Sequence, residues 1–167
     1  MMKTTRRTAL LGGLALGLAG CASKLRTYDG PEVTRLQMFK GDRNLFLFNN
    51  TSVLKAYRID LGFAPEGSKQ FEGDGKTPEG AYTVDRRNPD SLFHLSIGIS
   101  YPNEADIAFA AAQGQEPGGD IFIHGGPRPG IDAIKPDWTA GCIAVSDREI
   151  EDIYAMVRDG TPIDIFA

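Results

Sequence analysis

Ile121-Phe122-Ile123-His124-Gly125-Gly126 and Asp137-Trp138-Thr139-Ala140-Gly141-Cys142-Ile143-Ala144-Val145 are the two stretches on which the reading of this chain turns. Each joins a short apolar, β-branched run to glycine, the pattern of a strand beside a turn, which places one histidine and one cysteine at strand ends. A thiol near pH 7 is mostly protonated, so covalent chemistry at Cys142 needs a base within reach or a positive environment. His124 is the candidate base. Gly125 and Gly126 let the chain turn sharply beside the histidine, and Gly141 lets a substrate approach the Cys142 N–H, a candidate oxyanion donor.

Outward from these stretches the pattern stays that of a mainly β chain, a β-sandwich or open barrel with a few short helices. Strands are expected at 45–48, 53–61, 81–84, 93–99, 121–124, 141–145 and 162–166, with a hairpin turn at Asn49, Asn50 and Thr51. Asn103 with Asp106 marks one helix start. Ser146 with Glu149 is a capping-box pattern, followed by the apolar face Ile150, Ile153, Tyr154 and Val157 and a stop at Gly160. Residues 62–80, rich in Gly, Pro and charge, read as a long surface loop that either connects or serves the site.

Before this domain, Lys3, Arg6 and Arg7 precede an uncharged run, 8–20, that reads as a secretory signal. It is too short and too glycine-rich for a spanning helix. Without residues 1–20 the chain keeps 147 residues, one domain, and its 22 acidic residues outnumber the remaining basic ones, which argues against nucleic acid. Residues 22–35 are polar and aperiodic, as suits a tether, and the domain is expected over 37–167. The chain has two cysteines. Lone cysteines are usually small apolar core residues, so Cys142 draws its interest from His124 and the glycines.

Leu18-Ala19-Gly20-Cys21 resembles the lipobox of bacterial lipoproteins, which implies a lipid on Cys21, a membrane anchor and a mature segment starting there, tethered over 21–36. Ala22 leans toward the outer membrane by the same resemblance, and Arg6-Arg7 weakly resembles a twin-arginine signal. His124-Gly125 and Thr139-Ala140-Gly141-Cys142, with seventeen residues between histidine and cysteine, resemble the signature of the L,D-transpeptidase (YkuD-type) catalytic domain. Gly73-Asp74, Thr77-Pro78-Glu79-Gly80 and Gly160-Thr161-Pro162-Ile163 extend the likeness over 37–167.

The resemblance implies Cys142 as nucleophile, His124 as general base and the Gly125 carbonyl as the group that orients the imidazole. It also implies peptidoglycan stem peptides as substrate, no metal or organic cofactor, a monomer, and a place in the cell envelope on the periplasmic face. Gly141, Thr139, Trp138, Tyr101 and His94 are the candidate substrate contacts; a lone histidine in an apolar strand such as His94 is more often a structural residue, and Trp138 reads at least as well as core packing. Ala140 and Ala144 depart from the family, many of whose members carry a histidine and an arginine or asparagine there. Three alternatives stand beside this reading: a hydrolase of the same fold acting on peptidoglycan stem or lipoprotein links, a zinc hydrolase using His94, His124 and Cys142, and a peptidoglycan-binding lipoprotein without turnover.

Overall fold

The computed structural model describes residues 23–167, so the export signal and the lipidation expected at Cys21 lie outside the described residues. Eight strands form one curled sheet: β1 (Arg35–Phe39), β2 (Asn44–Asn49), β3 (Ser52–Arg58), β4 (Gly80–Asn88), β5 (Ser96–Ile99), β6 (Phe122–His124), β7 (Ile143–Ala144) and β8 (Pro162–Phe166). Their order is β3-β2-β1-β8-β4-β5-β6-β7. Helices α1 (Glu104–Ala112) and α2 (Asp147–Met156) complete the described elements. Of the two β architectures expected, the open barrel is the one found.

The curl brings the two sheet edges together. Beyond β3 the chain runs along β7, where Asp60 N–H donates to Ala144 O at 2.9 Å and Ala144 N–H returns to Asp60 O at 2.8 Å. Alternation builds the core: Leu36 and Met38 of β1, Leu45 and Leu47 of β2, and Ile163 and Ile165 of β8 are all buried. Each such side chain contributes roughly 1.5–3 kcal/mol of burial. α2 closes one side with Ile150, Ile153 and Met156, and both helices carry the expected capping boxes, at Asn103/Asp106 and Ser146/Glu149.

Several segments differ from their sequence reading: the strand read at 81–84 runs on to Asn88, the one at 53–61 stops at Arg58, and the one at 141–145 keeps only Ile143–Ala144. The stretch expected to be a tether to residue 36 enters the fold early: Val33 is buried, Arg26 pairs with Glu151 and Asp152, and β1 starts at Arg35. β1 then lies between β2 and β8, parallel to β8, and these two neighbours use an alternation, Leu36 and Met38 against Arg35 and Gln37, that the sequence reading does not include among its strands. The 93–99 strand shortens to β5, because His94 adopts φ 73 and the Phe93 and Leu95 carbonyls turn to accept the Gly125 N–H at 3.1 and 3.3 Å.

The 62–80 loop is tied down by buried charge. Lys40, 2% exposed, donates through Nζ to Gly67 O at 2.6 Å, Thr77 O at 2.8 Å and Glu79 Oε1 at 2.8 Å. Burial would raise the Asp74 carboxyl, but the N–H groups of Gln70, Phe71 and Lys76, together with Lys69, hold it below its ordinary value. Thr77 extends this loop to the site. Its hydroxyl accepts from Gly62 N–H at 3.2 Å and donates to Gly141 O at 2.9 Å.

Candidate active site

Strand β6 ends at His124 and β7 begins just after Cys142, and their parallel pairing, Ile123 with Ile143 and His124 with Ala144, puts Cys142 two positions before the partner of His124. Both line a cavity of about 290 Å³ with Asn88, Ser91, Leu92, Phe93, Ser96, Asp120 and Phe122. Sequence reading missed these wall residues from the 88–93 turn and β5. The Asn88-Pro89-Asp90 cluster, a turn signal just before the Leu92-Phe93 pair, was the available clue.

His124 is 3% exposed, and its Nδ1 lies 2.6 Å from Gly125 O. A carbonyl can only accept, so Nδ1 carries the proton and Nε2 is left as a lone-pair acceptor. Burial holds the imidazole below its ordinary pKa, partly countered by the Gly125 carbonyl and Asp132. Its faces are packed: the Phe93 ring stacks on it at 4.3 Å, Trp138 meets it edge-on at 5.7 Å, and Arg128 caps Phe93 at 4.3 Å.

Burial pushes the Cys142 thiol above its ordinary value and the Asp120 charge adds to that, while the Phe122 N–H, Arg86 and Lys69 ease it. The Sγ–H donates to Asp120 O at 3.4 Å. A neutral thiol and a neutral imidazole therefore line one cavity near pH 7, and a base in this tautomer has the lone pair needed to take a thiol proton as the sulfur attacks.

The remaining candidates divide. Thr139 is buried, its hydroxyl accepting from Gly141 N–H at 3.1 Å and donating to Cys142 O at 2.7 Å, so it frames the cysteine's backbone rather than the cavity. Gly141 has φ 135, and a Cβ there would lie 2.7 Å from Lys76 O, which accounts for the glycine. Trp138 reaches the site through His124 and Phe93. Tyr101 is 3% exposed and donates to Pro117 O at 3.0 Å, outside the cavity wall. His94 also lies outside it, with Nε2 2.8 Å from Glu151 Oε1 on α2, because its left-handed turn points it away from the strand face.

Among the described residues His94, His124 and Cys142 are not gathered as metal ligands. Ala140 is exposed, and Ala144 lines a second cleft of about 320 Å³ with Arg43, Arg58, Asp60 and Asp137. Arg43 grips Asp137 with Nε–Oδ1 at 2.9 Å and Nη2–Oδ2 at 2.7 Å.

The domain is thus a mainly β half-barrel with a tautomer-fixed histidine at the end of β6 and a cysteine just before β7, both lining one cavity. Residues 34–165 match the model of the L,D-transpeptidase catalytic domain, YkuD, and the chain belongs to that family. A candidate L,D-transpeptidase of Escherichia coli (strain K12), YafK, is 34% identical over 128 residues, 73% of this chain and 46% of that protein. The helical cell shape determining protein Pgp2 of Campylobacter jejuni has a similar structure, with TM-score 0.61 and 25% identity over 83% of this chain and 49% of its own. An L,D-transpeptidase from Mycobacterium smegmatis shares the fold at TM-score 0.53 and 15% identity, covering 81% of this chain and 59% of its own. The chain spans about half the length of YafK and Pgp2.

Proposed function

We propose that this protein is a peptidoglycan L,D-transpeptidase that works through a thioester on Cys142. The observation that carries the reading is the cavity that Cys142 lines together with a histidine whose Nδ1 is committed to Gly125 O, leaving Nε2 to act as base. Family membership and the envelope-related names of relatives support the substrate class.

In the proposed cycle the Cys142 proton passes to His124 Nε2 as Sγ adds to the carbonyl of the L-centre of a stem-peptide diaminopimelate. The C–N bond to D-alanine breaks, and the leaving amine takes the proton from His124. An acceptor amine then gives a proton to Nε2 and attacks the thioester carbon, the C–S bond breaks, and Nε2 returns that proton to Sγ. No step calls for a metal or organic cofactor. The Cys142 N–H remains the proposed oxyanion donor: the carbonyl of its own peptide group, Gly141 O, accepts from the Thr77 hydroxyl, and the Thr139 hydroxyl holds the neighbouring Gly141 N–H and Cys142 O. Export, a lipid on Cys21 and action as a monomer on the periplasmic face complete the proposal.

The test is incubation of the purified protein with tri-, tetra- and pentapeptide muropeptides, followed by mass spectrometry of protein and products. The expected result is a stem-peptide adduct on Cys142, absent in Cys142→Ala, and a new cross-link. Stem cleavage without acceptor incorporation would assign water as acceptor. A folded protein that forms no adduct with any stem would overturn the proposal. Lipidation is tested on the full chain by mass: a diacylglyceryl increment on Cys21 is expected, and a mature N-terminus elsewhere refutes it.

A further inference from the structure

The peptide group joining Gly125 to Gly126 has a partner at each end. Its carbonyl accepts from His124 Nδ1 at 2.6 Å, and its N–H donates to Asp147 Oδ1 at 2.9 Å. The bond is trans, since the cis bonds are Tyr101-Pro102 and Gly126-Pro127, so C=O and N–H point in opposite directions. Carboxylate, peptide dipole and imidazole therefore lie in series.

From this arrangement we propose that Asp147 is a positioning residue for His124, fixing and polarising the peptide group whose carbonyl sets the imidazole's tautomer. The proposal rests on the reading of His124 as the base. It deepens the site by one residue that does not touch substrate.

Two further observations point the same way. A Cβ at Gly125 would lie 2.5 Å from Asp147 Oδ1 and 2.8 Å from Phe93 O, so the carboxylate packs directly against the turn, and only glycine leaves room for it. Asp147 is also not needed as a helix cap. Ser146 and Glu149 perform that task between themselves, with Ser146 N–H donating to Glu149 Oε2 at 2.9 Å and Glu149 N–H to Ser146 Oγ at 3.4 Å. The Asp147 carboxylate, at the first position of α2, instead reaches back to the β6 turn.

A carboxylate on the N–H side draws that proton and leaves the carbonyl oxygen more negative, which strengthens its bond to Nδ1–H. Asp147 is exposed, so its field on His124 is screened and the larger part of its effect is orientation. The other charges near the ring, Arg128 and Asp132, are paired with each other at 2.6 Å and stay in place when Asp147 changes.

The experiment compares Asp147→Ala, Asp147→Asn and Glu149→Gln in the full chain. The His124 tautomer and titration midpoint are read by nitrogen-resolved NMR, and kcat/KM is measured on a tetrapeptide muropeptide. Asp147→Ala is expected to lose the pure Nδ1–H tautomer and about tenfold in kcat/KM, the low end for removing a group that orients a working histidine. Asp147→Asn keeps an acceptor, so it restores the tautomer and most of the rate, while its midpoint falls by about 0.3 of a pH unit, the size an exposed charge exerts. Glu149→Gln removes a neighbouring charge yet keeps the capping pattern, and is expected to match wild type.

A pure Nδ1–H tautomer together with full rate in Asp147→Ala overturns the proposal, as does a Glu149→Gln loss equal to that of Asp147→Ala. Should Asp147→Ala not fold, Asp147→Asn decides: an unmoved midpoint refutes the relay. If the NMR results follow expectation and no variant, wild type included, turns over muropeptide, the function is wrong and the relay stands.

Discussion

Replacing Thr77 by valine removes one hydroxyl of nearly unchanged shape from a fully buried position, and its cost follows from the contacts. That hydroxyl accepts from Gly62 N–H at 3.2 Å and donates to Gly141 O at 2.9 Å, so it joins the 62–80 loop to the residue before Cys142 and to the segment that closes the barrel. Valine leaves both backbone groups buried without that partner, at about 1–3 kcal/mol each. Removing the threonine's own desolvation offsets part of this, so the net expected loss is about 3 kcal/mol. For a domain of this size that corresponds to a fall in Tm of roughly 6–12 °C. Urea unfolding followed by circular dichroism measures it. Thr77→Ser is the control: it keeps the hydroxyl and is expected to lose only about 1 kcal/mol for the missing methyl. A Thr77→Val stability within 0.5 kcal/mol of wild type, on the scale of an ordinary surface change, would refute the reasoning. So would a Thr77→Ser protein as unstable as Thr77→Val.

Lys40→Met strands Glu79 and the carbonyls of Gly67 and Thr77, and is expected to cost about 3 kcal/mol, the low end for breaking a buried pair because Glu79 keeps some water contact; urea unfolding and faster proteolysis within 62–80 check it. His124 is held below its ordinary pKa by burial, so its neutral form is favoured by folding. Its stability contribution is therefore complete above about pH 6.5 and is lost as pH falls from there toward the folded-state value. Loss of that pH-dependent component in His124→Gln, read from urea titrations between pH 5 and 8, is the expected result, and an unchanged pH profile counts against the assignment. Cys142 titrates above an ordinary thiol, so its alkylation by iodoacetamide should rise at higher pH than that of free cysteine. A midpoint below that of free cysteine would mean a resting thiolate instead.

The local signals in the sequence were dependable where the physics is local. Asn103 with Asp106 and Ser146 with Glu149 became capping boxes, because the groups that satisfy a helix start lie within three residues of one another. Asn50 turns the β2–β3 hairpin at φ 53, a conformation asparagine tolerates. The His124 and Cys142 stretches could be paired from the sequence because each combined a strand end, a glycine and a reactive side chain. Only the tertiary structure decided the rest. β1 takes its place in the sheet from β2 and β8, which flank it, and Phe93-His94-Leu95 is a turn because its carbonyls serve the Gly125 N–H. Ala144 belongs to the barrel seam because Asp60 arrives from the opposite edge of the sheet. Thr77, Lys40 and Asp147 owe their roles to partners that curling the sheet brings near, and a hydrogen bond between groups 21 to 64 positions apart leaves no periodicity in the sequence that would announce it.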